Sequence, residues 1–147
     1  FRLDLATGLS TNLTAATVSV GGFDSDPSPT PDGRLVLAYT ANSTSTQIAE
    51  MAADGTGRRV LIDDHTFNTD PTVSADGRFV ATASYRGSGN PSTGSASDFS
   101  DVKPSDWHIA VRPRSGGAET LLTDGANCVS RSPADPCEVS ELSLIHI

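Results

Sequence analysis

Hydrolysis of a peptide or ester bond needs a nucleophile beside a base, so the serines and histidines come first. No Gly-x-Ser-x-Gly segment occurs in the 147 residues. That turn is what lifts a hydrolase serine clear of its strand. Gly87-Ser88-Gly89 comes nearest, but it sits in a run of Gly, Ser and Pro with no strand-to-helix setting. Of the three histidines, His146 falls in a C-terminal string set aside below. His65 and His108 remain as bases, and they read as an exposed loop residue and a strand-edge residue. Cys128 and Cys137 lie nine residues apart, without a Cys-x-x-Cys partner or a nearby His pair, so they do not make a zinc site. Asp24, Asp26 and Asp32 carry oxygens that suit calcium, but their spacing is not that of an EF-hand loop. Asp26 is expected to bond local backbone before Pro27, and Asp32 to set a turn. No catalytic residue, metal or cofactor is therefore expected.

Binding chemistry leaves two candidates. Trp107, the one tryptophan, stands between Asp106 and His108 beside a long loop. Tryptophan is enriched at binding hot spots, and it is equally a packing residue between sheets, so Trp107 and His108 are candidate binding residues with packing as the alternative. Cys128 and Cys137 could close a small disulfide in an oxidising compartment, worth ~2–3 kcal/mol, or remain free thiols. Asn12-Leu13-Thr14 and Asn42-Ser43-Thr44 fit the glycosylation triplet, which chance supplies readily in a chain this rich in Ser and Thr.

The elements that would position these residues come from a repeat. Asp26-Pro27 followed by Asp32-Gly33-Arg34 recurs as Asp70-Pro71 followed by Asp76-Gly77-Arg78, at an offset of 44. Each Asp-Gly precedes an apolar stretch, Leu35 to Tyr39 and Phe79 to Ala83. Adjacent apolar residues point to strands covered on both faces. Ile48-Ala49-Glu50-Met51, then Asp54-Gly55, then Val60-Leu61-Ile62, recurs as Ile109-Ala110-Val111-Arg112, then Ser115-Gly116-Gly117, then Leu121-Leu122. The offset here is 61, so the second unit carries 17 extra residues, placed near 87–105. Their Gly, Ser and Pro content marks a flexible loop, either functional or a tolerated insertion.

Each unit reads as four antiparallel strands with an Asp-Gly hairpin between the first two. Glu, Lys, Gln and Met are scarce while Ser and Thr together number 35, which excludes a helical bundle. The expected fold class is all-β: a fragment of a β-propeller with about two complete four-stranded blades and partial blades at both ends. The expected division is 1–20 as the end of a blade, 21–66 as a full blade, 67–127 as a full blade with the insertion, and 128–141 as the start of the next, where Asp135-Pro136 recurs weakly.

These motifs resemble the TolB-like β-propeller repeat, a relative of the WD repeat. Its pattern runs Asp-x-x-Pro-x-x-Ser-Pro-Asp-Gly, an apolar strand, Ser-x-Arg, an Ile-Tyr-Val strand and Asp-Gly-Gly. Asp24, Pro27, Asp32 and Gly33 follow it, as do Ser74, Asp76, Gly77 and Ser84-Tyr85-Arg86. Thr30 and Ala75 depart from it, as do Gln47 and His108 where Asp is usual, and Ala49 and Ala110 where Tyr is usual. The resemblance implies a non-enzymatic scaffold outside the cytoplasm, periplasmic or secreted, with a protein or peptide partner, and it favours bridged cysteines. It also implies an alternative: the substrate-gating propeller of a serine peptidase of the prolyl oligopeptidase or tricorn type, with the catalytic domain elsewhere.

The remaining observations bound the partner. Ten Lys and Arg against eighteen Asp and Glu give a net charge of −8, which argues against nucleic acid and anionic membranes and favours basic partners. No apolar run approaches the ~20 residues that span a bilayer. The final string Leu142 to Ile147 resembles one frame of a transposon-end sequencing adapter and is expected to be an artefact. Two blades cannot close a ring of about 4–8, so further blades of the same chain are expected to cover the open edges.

Overall fold

The computed structural model describes residues 1–14, 22–42, 45–87 and 106–123. Cys128, Cys137, Asp135-Pro136, most of the 87–105 insertion and the 142–147 string lie outside the described residues. The described residues form ten strands and no α-helix. A short pair, β1 (Arg2–Leu3) and β2 (Ser10–Thr11), stands apart. Then come β3 (Phe23–Pro29), β4 (Arg34–Asn42), β5 (Ser45–Ala52) and β6 (Arg59–Ile62), an antiparallel meander that we call the first blade. The second blade repeats it with β7 (Phe67–Val73), β8 (Phe79–Tyr85), β9 (Trp107–Pro113) and β10 (Thr120–Leu121). One parallel pairing, Thr46 with Phe67, joins the two meanders.

The recurring motif has a physical reason at each position. Gly33 and Gly77 sit at φ of 78° and 73°, the left-handed region that a side chain resists, and each turns its hairpin. Ahead of each, a hydroxyl closes the turn. Thr30 Oγ1 donates to Asp32 Oδ1, and Ser74 Oγ donates to Asp76 Oδ1 at 2.7 Å. Asp26 and Asp70 also have positive φ, 52° and 49°, where the ladder breaks between Ser25 and Ser28 and between Thr69 and Thr72. A proline without an N–H fits such a bulge. The expected backbone partner of Asp26 is replaced by a neighbouring hydroxyl: Ser25 Oγ donates to Asp26 Oδ2 at 2.9 Å, and Thr69 Oγ1 to Asp70 Oδ2 at 3.1 Å.

The two blades are not superimposable copies. In the first, Thr30 N bonds Arg34 O, enclosing three residues. In the second, Ser74 N bonds Phe79 O, enclosing four. Phe23, Thr40 and Thr46 form one row across β3, β4 and β5. Phe67 and Trp107 hold the places of Phe23 and Thr46, but Tyr85 stands between them where the 44-residue offset would put Ser84. Strand β8 alone has slid by one residue. A slide of one turns every side chain of a strand to the other face. Val80 therefore points back at the first blade and joins Val36, Ala38, Ile48 and Ile62 in the inter-blade core. All five are at most 4% exposed, and each large aliphatic among them contributes ~1.5–3 kcal/mol by burial.

Candidate functional site

Polar side chains gather where the blades meet. Glu50 lies on β5, paired with Val36 and facing the second blade. It is 3% exposed, and three guanidiniums close on it. Arg59 Nε donates to Oε1 at 2.8 Å, Arg114 Nε to Oε2 at 2.8 Å, and Arg34 Nε lies 3.1 Å from Oε1. Arg114, just past β9, also reaches Asp32 Oδ2 in the first hairpin at 3.0 Å, so one side chain clamps strand and turn of the neighbouring blade. Burial would raise the pKa of Glu50, but the bonds from Arg114 and Arg59 outweigh it and hold the carboxyl below its usual value. Asp32 is lowered to about 2 by Thr30's hydroxyl and then Arg114. Asp76 is likewise lowered to about 2 by Ser74's hydroxyl and the backbone N–H of Arg78. Burial would lower Arg114, yet its bonds to Glu50 and Asp32 raise it.

A second cluster centres on Asp64, in the link from β6 to β7. Its Oδ1 accepts Thr66 Oγ1 at 2.7 Å and Asn68 Nδ2 at 2.9 Å, while Oδ2 pairs with Arg112. Arg112 also bonds Glu119 at 2.7 Å, and Arg86 bonds Glu119 at 2.5 Å. Burial would raise Asp64, but the hydroxyl and amide of Thr66, then Asn68 and Arg112, lower it.

The residues singled out from sequence fall elsewhere. Trp107 is half-buried and packs edge-on to Phe67 at 6.0 Å and tilted to Tyr85 at 5.4 Å. His108 is half-buried, with Nδ1 2.7 Å from Thr123 O. His65 is exposed, with Nδ1 3.7 Å from Asp63. Strand pairing does set His108 across from Ser84 on β8, but no side-chain hydrogen bond joins the two, and His65 bonds no serine among the described residues. Asp24 is held by Arg58 at 2.7 Å. Among the described residues no group of three or more His, Cys, Asp or Glu is arranged to hold a metal.

Similarity to solved structures follows this geometry. A TolB-assigned protein of Agrobacterium tumefaciens matches at a TM-score of 0.61 and 20% identity over 82% of the chain. TolB of Acinetobacter baumannii matches at 0.55 and 21% over 83%. The fold is a TolB-like β-propeller. The chain spans only 39% and 26% of the length of these two proteins. No protein-family model matches it, and no curated protein matches it. The TolB-like propeller fold is thus assigned through shape, with the sequence motifs pointing the same way.

Sequence reading missed the arginines. A glutamate in an apolar strand, Ile48-Ala49-Glu50-Met51, was a usable signal, because a buried carboxylate needs a cation. The partners were not readable, since Arg114 and Asp32 lie 82 residues apart.

Proposed function

We propose that this chain is part of a non-enzymatic recognition propeller that works outside the cytoplasm and binds a protein partner. The observation that carries the reading is what the buried and half-buried ionisable groups do. Glu50, Asp64 and Glu119 are committed to arginines between or within blades, and His108 to a backbone carbonyl. Such groups hold a rigid disc in place and leave its turns and loops to select a partner. The resemblance to TolB-like repeats supplies the extracytoplasmic setting. Trp107 and His108 remain candidate contacts on the long-loop side of the second blade.

The test is affinity capture on the immobilised 147-residue chain from a cell-envelope extract of the source cells, followed by titration of whatever protein is retained. Saturable binding of one identified protein is expected. Turnover of peptide, ester or glycoside substrates by the chain itself would contradict the reading.

A further inference from the structure

Between the Asp-Gly end of the first blade and the turns of the second lies a cleft of about 590 Å³. Asp32, Glu50, Arg59, Arg78, Phe79 and Arg114 are among its lining residues. In and beside it four guanidiniums, Arg34, Arg59, Arg78 and Arg114, stand against three carboxylates, Asp32, Glu50 and Asp76. This is a locally positive spot on a chain whose net charge is −8.

Two of the arginines are placed differently from the rest. Arg114 is 12% exposed and uses both Nε and a terminal nitrogen on carboxylates. Arg59 and Arg78 are 57% and 74% exposed and use Nε alone, on Glu50 at 2.8 Å and Asp76 at 2.6 Å. Among the described residues no acceptor meets their terminal nitrogens. A carboxylate on Nε fixes the plane of each guanidinium, so its outer edge is held ready for a second, bidentate acceptor. Half-exposed Phe79 and Pro113 give the same cleft apolar wall.

We infer that this cleft binds an acidic peptide segment of a protein partner, with side-chain carboxylates on Arg59 and Arg78 and an apolar residue against Phe79. The inference rests on the recognition reading above and makes its chemistry specific. It also reverses the expectation of basic partners drawn from net charge, because contact is made with a local field and not with the sum. Arg78 is available because of the slide of β8. Its counterpart Arg34 is the first ladder residue of β4 and turns toward Glu50, whereas the longer second turn leaves Arg78 outside the ladder.

The experiment is fluorescence anisotropy of a labelled peptide alternating Glu with Leu and Gly, against the same peptide with Lys for Glu, on the 147-residue chain. The acidic peptide is expected to bind, and to weaken as ionic strength rises from about 0.05 to 0.5 M. Arg59→Ala with Arg78→Ala should weaken it by at least ~10-fold, and Arg78→Glu alone by a similar factor. The charge reversal at exposed Arg78 leaves the core untouched, so it stays informative if the double variant unfolds. Arg2→Ala, on the separate β1–β2 pair, should change nothing. Equal affinity in wild type and Arg78→Glu, preference for the Lys peptide, or no binding of the acidic peptide would each overturn the inference. Capture of a partner by the envelope assay that survives Arg78→Glu would sink this site while leaving the recognition reading intact.

Discussion

The first and second blades use one motif to different ends. In the first, the hairpin encloses three residues, the arginine after Asp-Gly enters the ladder, and a buried Glu50 collects three guanidiniums. In the second, the hairpin encloses four, the equivalent arginine stays in solvent, and Val111 stands where Glu50 would be. An aromatic row, Phe67, Tyr85 and Trp107, occupies the line that Phe23, Thr40 and Thr46 hold in the first blade. One residue of register thus separates a blade with a polar row and a buried Glu50 from a blade with an aromatic row, whose ion pairs centre instead on Asp64 and Glu119. The lesson is that equal spacing in sequence does not guarantee equal pairing in a sheet.

The comparison breaks most visibly at Glu50. Glu50→Gln should lower stability in denaturant by about 2–3 kcal/mol, less than a fully buried pair would lose because Arg34 and Arg59 keep access to water. Glu119→Gln, which keeps Arg112 beside Asp64, should lower it by only about 1 kcal/mol. Equal losses would mean that charge serves both blades alike. Trp107→Ala should remove about 2 kcal/mol by the same assay, below the range for a fully buried ring because Trp107 is half-buried. An unchanged midpoint would leave Trp107 to partner binding instead. Gly33→Ala and Gly77→Ala should each lose about 1 kcal/mol through the left-handed backbone, and a loss at only one of them would separate the two turns.

Acid acts on these carboxylates together. Asp32 and Asp76 are held at about 2, and Glu50 and Asp64 are also lowered. A carboxyl with a depressed folded pKa adds stability that is complete above its unfolded value near 4 and is lost as pH falls through the folded value. The unfolding midpoint should therefore be level from about pH 7 to 5 and fall between about pH 4 and 2. A midpoint that rises over that lower interval would contradict the pairing described.

Much of the fold was legible because its signals are local. Asp32-Gly33 and Asp76-Gly77 announce hairpins, and the recurrence of Ile48-Ala49 and Ile109-Ala110 announces the third strands. The register of β8 was not legible. Val80 breaks the alternation that Ala81 to Tyr85 keep, and a strand buried on both faces from Val80 to Tyr85 tolerates either phase. The candidate site was less legible still. Trp107 and His108 drew attention through residue type, while the arginine cleft depends on contacts such as Arg114 with Glu50, 64 residues apart, which only the folded sheet brings together.

Cross-strand NOEs in a solution NMR spectrum of the chain test the one-residue slide of β8 most directly. Contacts of Ser84 with Asn68 and with His108 are the predicted result, as these residues face each other across β7, β8 and β9. Contacts of Ala83 with Asn68 and His108 in their place would restore the register of the first blade, return Arg78 to the ladder and contradict the account.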